Sequence, residues 1–105
     1  MAYKVKLLNL AENDLDEICH YLSQFYPGTA GRFLDAIEQI FNNISQNPKM
    51  YPLYEYNKEY RKAVTNNFLV FYKTDKKNTL INIYRILHGK QNIISILTKL
   101  DTKQD

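Results

Sequence analysis

From its start the chain alternates: Tyr3, Val5 and Leu7 are separated by Lys4 and Lys6, the period of a strand with one buried face. The lysines mark an edge strand over about residues 3–8, because exposed charges discourage further pairing. The period then lengthens. Asn9 followed by Glu12 matches an N-cap and its capping-box partner, and Glu12, Asp14 and Asp16 suit the positive end of a helix dipole, so a helix is predicted from about Leu10. Ala11, Leu15, Ile18, Leu22 and Phe25 form its apolar stripe, and Pro27-Gly28 stops it. A second helix, capped by Thr29, sets Phe33, Ile37, Ile40, Phe41 and Ile44 on one face and Arg32, Asp35, Glu38 and Gln39 on the other, and ends at Asn47-Pro48. So short a connection predicts an antiparallel helical hairpin.

The stretch from Pro48 to Asn57 mixes prolines with Tyr51, Tyr54 and Tyr56 and reads as an irregular loop lying on the body of the domain. Strands are predicted over Glu59–Thr65 and Phe68–Thr74, joined by Asn66-Asn67, a pair that tolerates the positive φ of a tight hairpin. After a turn at Asp75-Lys76-Lys77-Asn78, the strand from Thr79 to Leu87 is apolar on both faces, with Leu80, Tyr84 and Ile86 on one and Ile81, Ile83 and Leu87 on the other. Such a strand is expected where a sheet is covered on both sides. Ile93, Ile96, Leu97 and Leu100 predict a short last helix, and 101–105 a frayed tail. The whole is a small single α+β domain over 1–105: a strand, a two-helix hairpin, a three-stranded antiparallel meander and a C-terminal helix.

Composition narrows the function. At 105 residues, 45% hydrophobic and 24% charged, the chain builds one core and has little room for a deep cleft. No run approaches the ~20 apolar residues of a membrane span, the opening residues do not resemble a signal peptide, and the single cysteine, Cys19, excludes an internal disulfide. These features predict a soluble cytoplasmic protein. The net charge of +3 is unevenly spread. Residues 1–57 carry four Lys/Arg against seven Asp/Glu, whereas residues 58–105 carry ten against four. A basic second half points to an anionic partner: nucleic acid, the ribosome or an acidic polypeptide.

The candidate chemistry lies in that half. Tyr60, Arg61, Lys62, Arg85, His88 and Lys90 are the candidate partner-binding residues of that basic half. Cleaving RNA with its own 2′-hydroxyl needs a base, a donor for the leaving oxygen and cations around the phosphate. Arg61, Arg85 and His88 supply the residue types, although strand alternation puts Arg85 and His88 on opposite faces unless the strand turns at Gly89. The structural alternative has His88 satisfying a local hydrogen bond and Arg85 pairing with a carboxylate. Tyr51, Tyr54, Tyr56 and Tyr60 fit base stacking but fit anchoring of an irregular loop better. Cys19-His20 has no second ligand pair at metal spacing, so neither metal nor cofactor is expected.

Ala11-Glu12-Asn13-Asp14-Leu15-Asp16-Glu17-Ile18, Ala30-Gly31-Arg32-Phe33, Asn47-Pro48, Tyr60-Arg61, Leu69-Val70-Phe71-Tyr72 and Arg85-Ile86-Leu87-His88-Gly89 follow in order along nearly the whole chain. Together they resemble the RelE/ParE family of bacterial toxins, closer to its ParE branch. The resemblance implies a RelE-like fold and the toxin half of a type II toxin-antitoxin pair that arrests bacterial growth. It also implies a cognate antitoxin, a partly disordered segment of which folds across the toxin in a hetero-oligomer. Ribonuclease members cleave mRNA on the ribosome, typically with an arginine on the third strand and often an aromatic residue beside the last histidine. Here those positions are Leu69 and Gly89. The resemblance therefore favours a toxin that binds and poisons a macromolecule such as DNA gyrase. The alternative is a metal-independent, ribosome-dependent mRNA endoribonuclease using Arg61, Arg85 and His88. A small RNA-binding adaptor is a third reading.

Overall fold

The computed structural model describes residues 2–103. Its elements are β1 (Lys4–Leu7), α1 (Asn9–Ser23), α2 (Thr29–Gln46), β2 (Leu53–Tyr54), β3 (Asn57–Thr65), β4 (Phe68–Asp75), β5 (Leu80–His88) and α3 (Ile93–Lys103). The strands form one five-stranded sheet in the order β1-β5-β4-β3-β2. The meander β3-β4-β5 is its centre. At one edge β1 lies parallel to β5, with Val5 opposite Ile81 and Leu7 opposite Ile83. Lys4 and Lys6 are exposed while Val5 and Leu7 are half-buried, so the alternation read in the sequence holds. At the other edge β2 is a short strand where an irregular loop was expected, held against β3 through Leu53–Arg61 and Tyr54–Asn57.

The helix starts differ from the expected ones. Leu8, with extended backbone, is the N-cap of α1, and no side chain caps the helix. The Leu8 N–H bonds Ile83 O at 3.0 Å, so the chain stays strand-like up to the helix and Asn9 is already in its first turn. The Asn9–Glu12 capping box does not form. Gly28, at φ +84°, caps α2 in place of Thr29, and its left-handed backbone is one that glycine adopts without a side-chain clash. The Thr29 hydroxyl points backwards and donates to Tyr26 O at 2.8 Å. Phe25 falls beyond the end of α1 and is exposed, not part of the stripe.

Two cores result, one on each face of the sheet. Ala11 of α1 and Phe33, Ile37, Ile40 and Ile44 of α2 pack on Val70, Tyr72, Ile81, Ile83 and Ile86. On the opposite face α3 lays Ile93 and Leu97 over Tyr54, Tyr60, Phe71 and Leu87. Full burial of each such side chain is worth roughly 1.5–3 kcal/mol, so both covers matter to a chain this small.

A β-bulge corrects the expected faces of β5. Phe71 lies opposite Arg85 but Tyr72 opposite Ile83, so the register passes over one residue, Tyr84. Beyond that point the alternation reverses. Ile86 joins Ile81 and Ile83 in the helix-covered core, and Leu87 joins Tyr84 under α3. The α3 helix runs past Leu100 to Lys103 where a frayed tail was expected; residues 104–105 of that expectation lie outside the described residues.

Candidate functional site

Where β1 stops at Leu7, the backbone of β5 loses its strand partner on that edge, and Asp14 of α1 takes over. Its Oδ2 accepts the Ile86 N–H at 3.0 Å, while Oδ2 and Oδ1 accept Nε and Nη2 of Arg85 at 2.7 and 2.8 Å. The carboxylate is buried and the guanidinium largely so. These hydrogen bonds raise the Arg85 pKa above its already high value, with desolvation opposing and Glu17 adding to the effect. A buried guanidinium held bidentately is committed to its partner. Arg85 therefore ties the first helix to the last strand.

His88 ends β5 on the helix-covered face. Its Nδ1 accepts the Lys90 N–H at 3.1 Å, and its ring meets Phe68 edge-on at 5.3 Å between centroids. The turn after it is closed by the His88 N–H to Gln91 Oε1 at 2.7 Å and the Gly89 N–H to Asn67 O at 2.8 Å. With Nδ1 accepting, the tautomer this bond selects has its proton on Nε2, a donor. His88 and the exposed Lys90 border an open hollow of about 460 Å³, whose other walls include Glu17, Tyr21, Phe68 and Gln91.

Arg61 lies elsewhere. It pairs with Tyr72, whereas His88 lies opposite Phe68 and Phe68 opposite Thr65, so Arg61 is four residues, about 13 Å, farther along the sheet. Its Nη1 donates to Tyr51 O at 2.8 Å, and the Tyr72 hydroxyl donates to Pro48 O at 2.9 Å. Burial pushes the Tyr72 phenol up to about 12 against the lowering influence of Arg61. Arg61, Arg85 and His88 thus occupy three separate places.

The remaining candidates divide between core and surface. Tyr60 is fully buried and meets Phe71 and Tyr84 edge-on. Lys62 is half-buried with Nζ 5.5 Å from the Tyr54 ring centre. Tyr54 is buried and the Tyr51 hydroxyl accepts from Asn43 Nδ2 at 3.2 Å, so these rings anchor the 48–57 segment; Tyr56 alone of the four is exposed. Burial first, then Asp16, pushes the Cys19 thiol up, and the described residues hold no cluster of His, Cys, Asp or Glu able to bind a metal.

Sequence reasoning missed a surface. Tyr21, Phe25 and Tyr26, at the α1–α2 connection, are 58%, 56% and 74% exposed, and Tyr21 and Phe25 meet edge-on at 4.8 Å. Tyr21 also lines the His88 hollow, which makes the aromatic tip and the hollow one continuous region. The signal was present, since Phe25 and Tyr26 directly precede Pro27-Gly28, but Phe25 fitted the helical stripe and was assigned to the core.

Residues 5–93 match the model of a family described as the ParE toxin of the type II toxin-antitoxin system parDE. The chain belongs to the ParE toxin family. Among solved structures, the toxin of this chain is similar to one in the chromosomal ParDE system of Pseudomonas aeruginosa (TM-score 0.68, 21% identity, covering 85% of this chain and 98% of the other). It is also similar to one in the RelBE2 toxin-antitoxin complex of Mycobacterium tuberculosis (TM-score 0.62, 23% identity, 84% and 99%). The isolated Escherichia coli RelE toxin follows at TM-score 0.58 and 10% identity, covering 93% and 97%. At these identities the likeness speaks for the fold. No curated protein matches in sequence. No helix among the described residues of this ParE-family toxin is long and apolar enough to cross a membrane.

Proposed function

We propose that this ParE-family toxin arrests bacterial growth by binding and poisoning a macromolecular target such as DNA gyrase, and that a cognate antitoxin neutralises it in a hetero-oligomer. The observation that carries the reading is the dispersal of the groups a ribonuclease needs. Arg85 is held by Asp14, His88 has its Nδ1 in use, and Arg61 lies about 13 Å along the sheet. Arg61, Arg85 and His88, the three groups named for cleavage, therefore do not converge on one bond. Residues used for binding need not converge in this way.

The antitoxin surface in this reading is the aromatic tip, Tyr21, Phe25 and Tyr26, together with the adjoining hollow, with Lys90 meeting an acidic residue of a segment that orders on binding. Arg85 has no part in it. The test is thymidine and leucine incorporation in bacteria within minutes of inducing the chain alone. DNA synthesis failing first supports a gyrase poison; protein synthesis failing first replaces this reading with the mRNA endoribonuclease.

A further inference from the structure

At the end of the sheet away from His88, a hollow of about 350 Å³ is bordered by Lys49, Arg61 and Lys76 and, among the described residues, by no carboxylate. The three cations come from the segment after α2, from β3 and from the β4–β5 turn. None of them forms an ion pair among the described residues. Acceptors that would repel an anion are in use: Tyr51 O takes the Arg61 Nη1 donor and Pro48 O takes the Tyr72 hydroxyl. Asp75, next to Thr74, has its carboxylate turned into the 75–78 turn, where the N–H and Nδ2 of Asn78 hold it at 3.2 and 2.8 Å.

Thr74 lines the same hollow, and its Oγ1 is the one buried side-chain oxygen or nitrogen without a hydrogen-bond partner among the described residues. That oxygen is closed off from solvent as it stands, so it meets a ligand in the hollow after rotation about the Thr74 Cα–Cβ bond, and there it gains the partner that the rest of the fold does not provide. We infer that the hollow is a phosphate-binding site formed by Lys49, Arg61, Lys76 and the Thr74 hydroxyl. A tetrahedral phosphate presents oxygens in several directions and suits cations arriving from three elements plus one hydroxyl donor. A planar carboxylate is best met by an undivided arginine fork, and Nη1 of Arg61 is already on Tyr51. This goes beyond the toxin reading and does not depend on which target that toxin has. The shared chemistry is a phosphate group, free, in a nucleotide or in a nucleic-acid backbone.

Titrating the isotope-labelled full chain with inorganic phosphate, at constant ionic strength, tests it by amide chemical shifts. Saturable shifts are expected at Lys49, Arg61, Thr74 and Lys76, with the amides of Lys90 and Gln91 unmoved. Thr74→Val, which removes an unmet hydroxyl and keeps the shape, is expected to fold at least as stably and to bind phosphate about tenfold more weakly. Lys49→Gln with Lys76→Gln is expected to lose at least about tenfold without a change in melting temperature. Shifts that never saturate, or wild-type affinity in Thr74→Val, overturn the site. Competition separates the sources: a short duplex that displaces phosphate with steep salt dependence points to a nucleic-acid backbone, and a nucleotide that displaces it more strongly points to a small ligand.

Discussion

Asp14 and Arg85 stand 71 residues apart in the chain and meet through two hydrogen bonds of 2.7 and 2.8 Å. The same carboxylate receives the Ile86 N–H, so one side chain satisfies both a guanidinium and a strand that has run past the end of its neighbour. Removing it leaves three N–H donors unmet. Asp14→Ala is expected to destabilise the protein by about 3 kcal/mol, at the low end for breaking a buried pair because Arg85 retains some solvent contact. Arg85→Met, which leaves Asp14 its bond to Ile86, is expected to cost about half as much. Urea denaturation gives both values, and losses under 1 kcal/mol for Asp14→Ala contradict this account of the pair.

His88 is placed to hold a turn. His88→Ala is expected to leave growth arrest intact on induction and to lower stability by about 1 kcal/mol, through the lost Lys90 N–H bond and Phe68 contact. Plating after induction, with a melting curve of the purified variant, distinguishes this from catalysis. A stable but harmless variant would falsify the binding mechanism for His88.

Tyr72 governs the alkaline limit. Its phenol titrates at about 12 in the folded chain against 10.0 for an ordinary tyrosine, so the folded state favours the protonated form. That contribution is complete below pH 10.0 and is lost as pH rises through about 12. Tyr72→Phe is expected to flatten the fall in stability across this window. At neutral pH it is expected to cost about 1–2 kcal/mol, because Pro48 O loses its donor. Melting temperatures from pH 8 to pH 11 show both effects.

The aromatic tip is proposed to serve recognition, so it should matter to binding and not to folding. Tyr21→Ala and Phe25→Ala are each expected to weaken antitoxin binding by about 1–2 kcal/mol, near tenfold, with melting temperature unchanged. Calorimetric titration with the antitoxin checks this; unchanged affinity in both removes the tip from the interface.

Periodic features of the fold were legible in the sequence, and local exceptions were not. The stripe Phe33, Ile37, Ile40, Ile44 and the turn at Asn66, with φ +52°, follow from spacing and residue type. The bulge at Tyr84 does not, because one extra residue in an apolar strand leaves hydrophobicity unchanged while it reverses every later face. Asp14 was read as a helix-dipole charge, since nothing local shows that Ile86 and Arg85 will approach it. The candidate site was legible as a list of residue types, and their separation depends on register, which only the assembled sheet fixes.

The parallel pairing of β1 with β5 also bears on how the molecule comes into being. Lys4 faces Leu80 and Leu7 faces Ile83, so the first strand synthesised waits for the last before it has a neighbour. Closing so long a loop is slow and is repaid only when the final contacts form. A chain released before Leu80 lacks β5, the strand that joins β1 to β4, and with it Ile81, Ile83 and Ile86 of the core under the helical hairpin, so the folded toxin becomes available only late in synthesis.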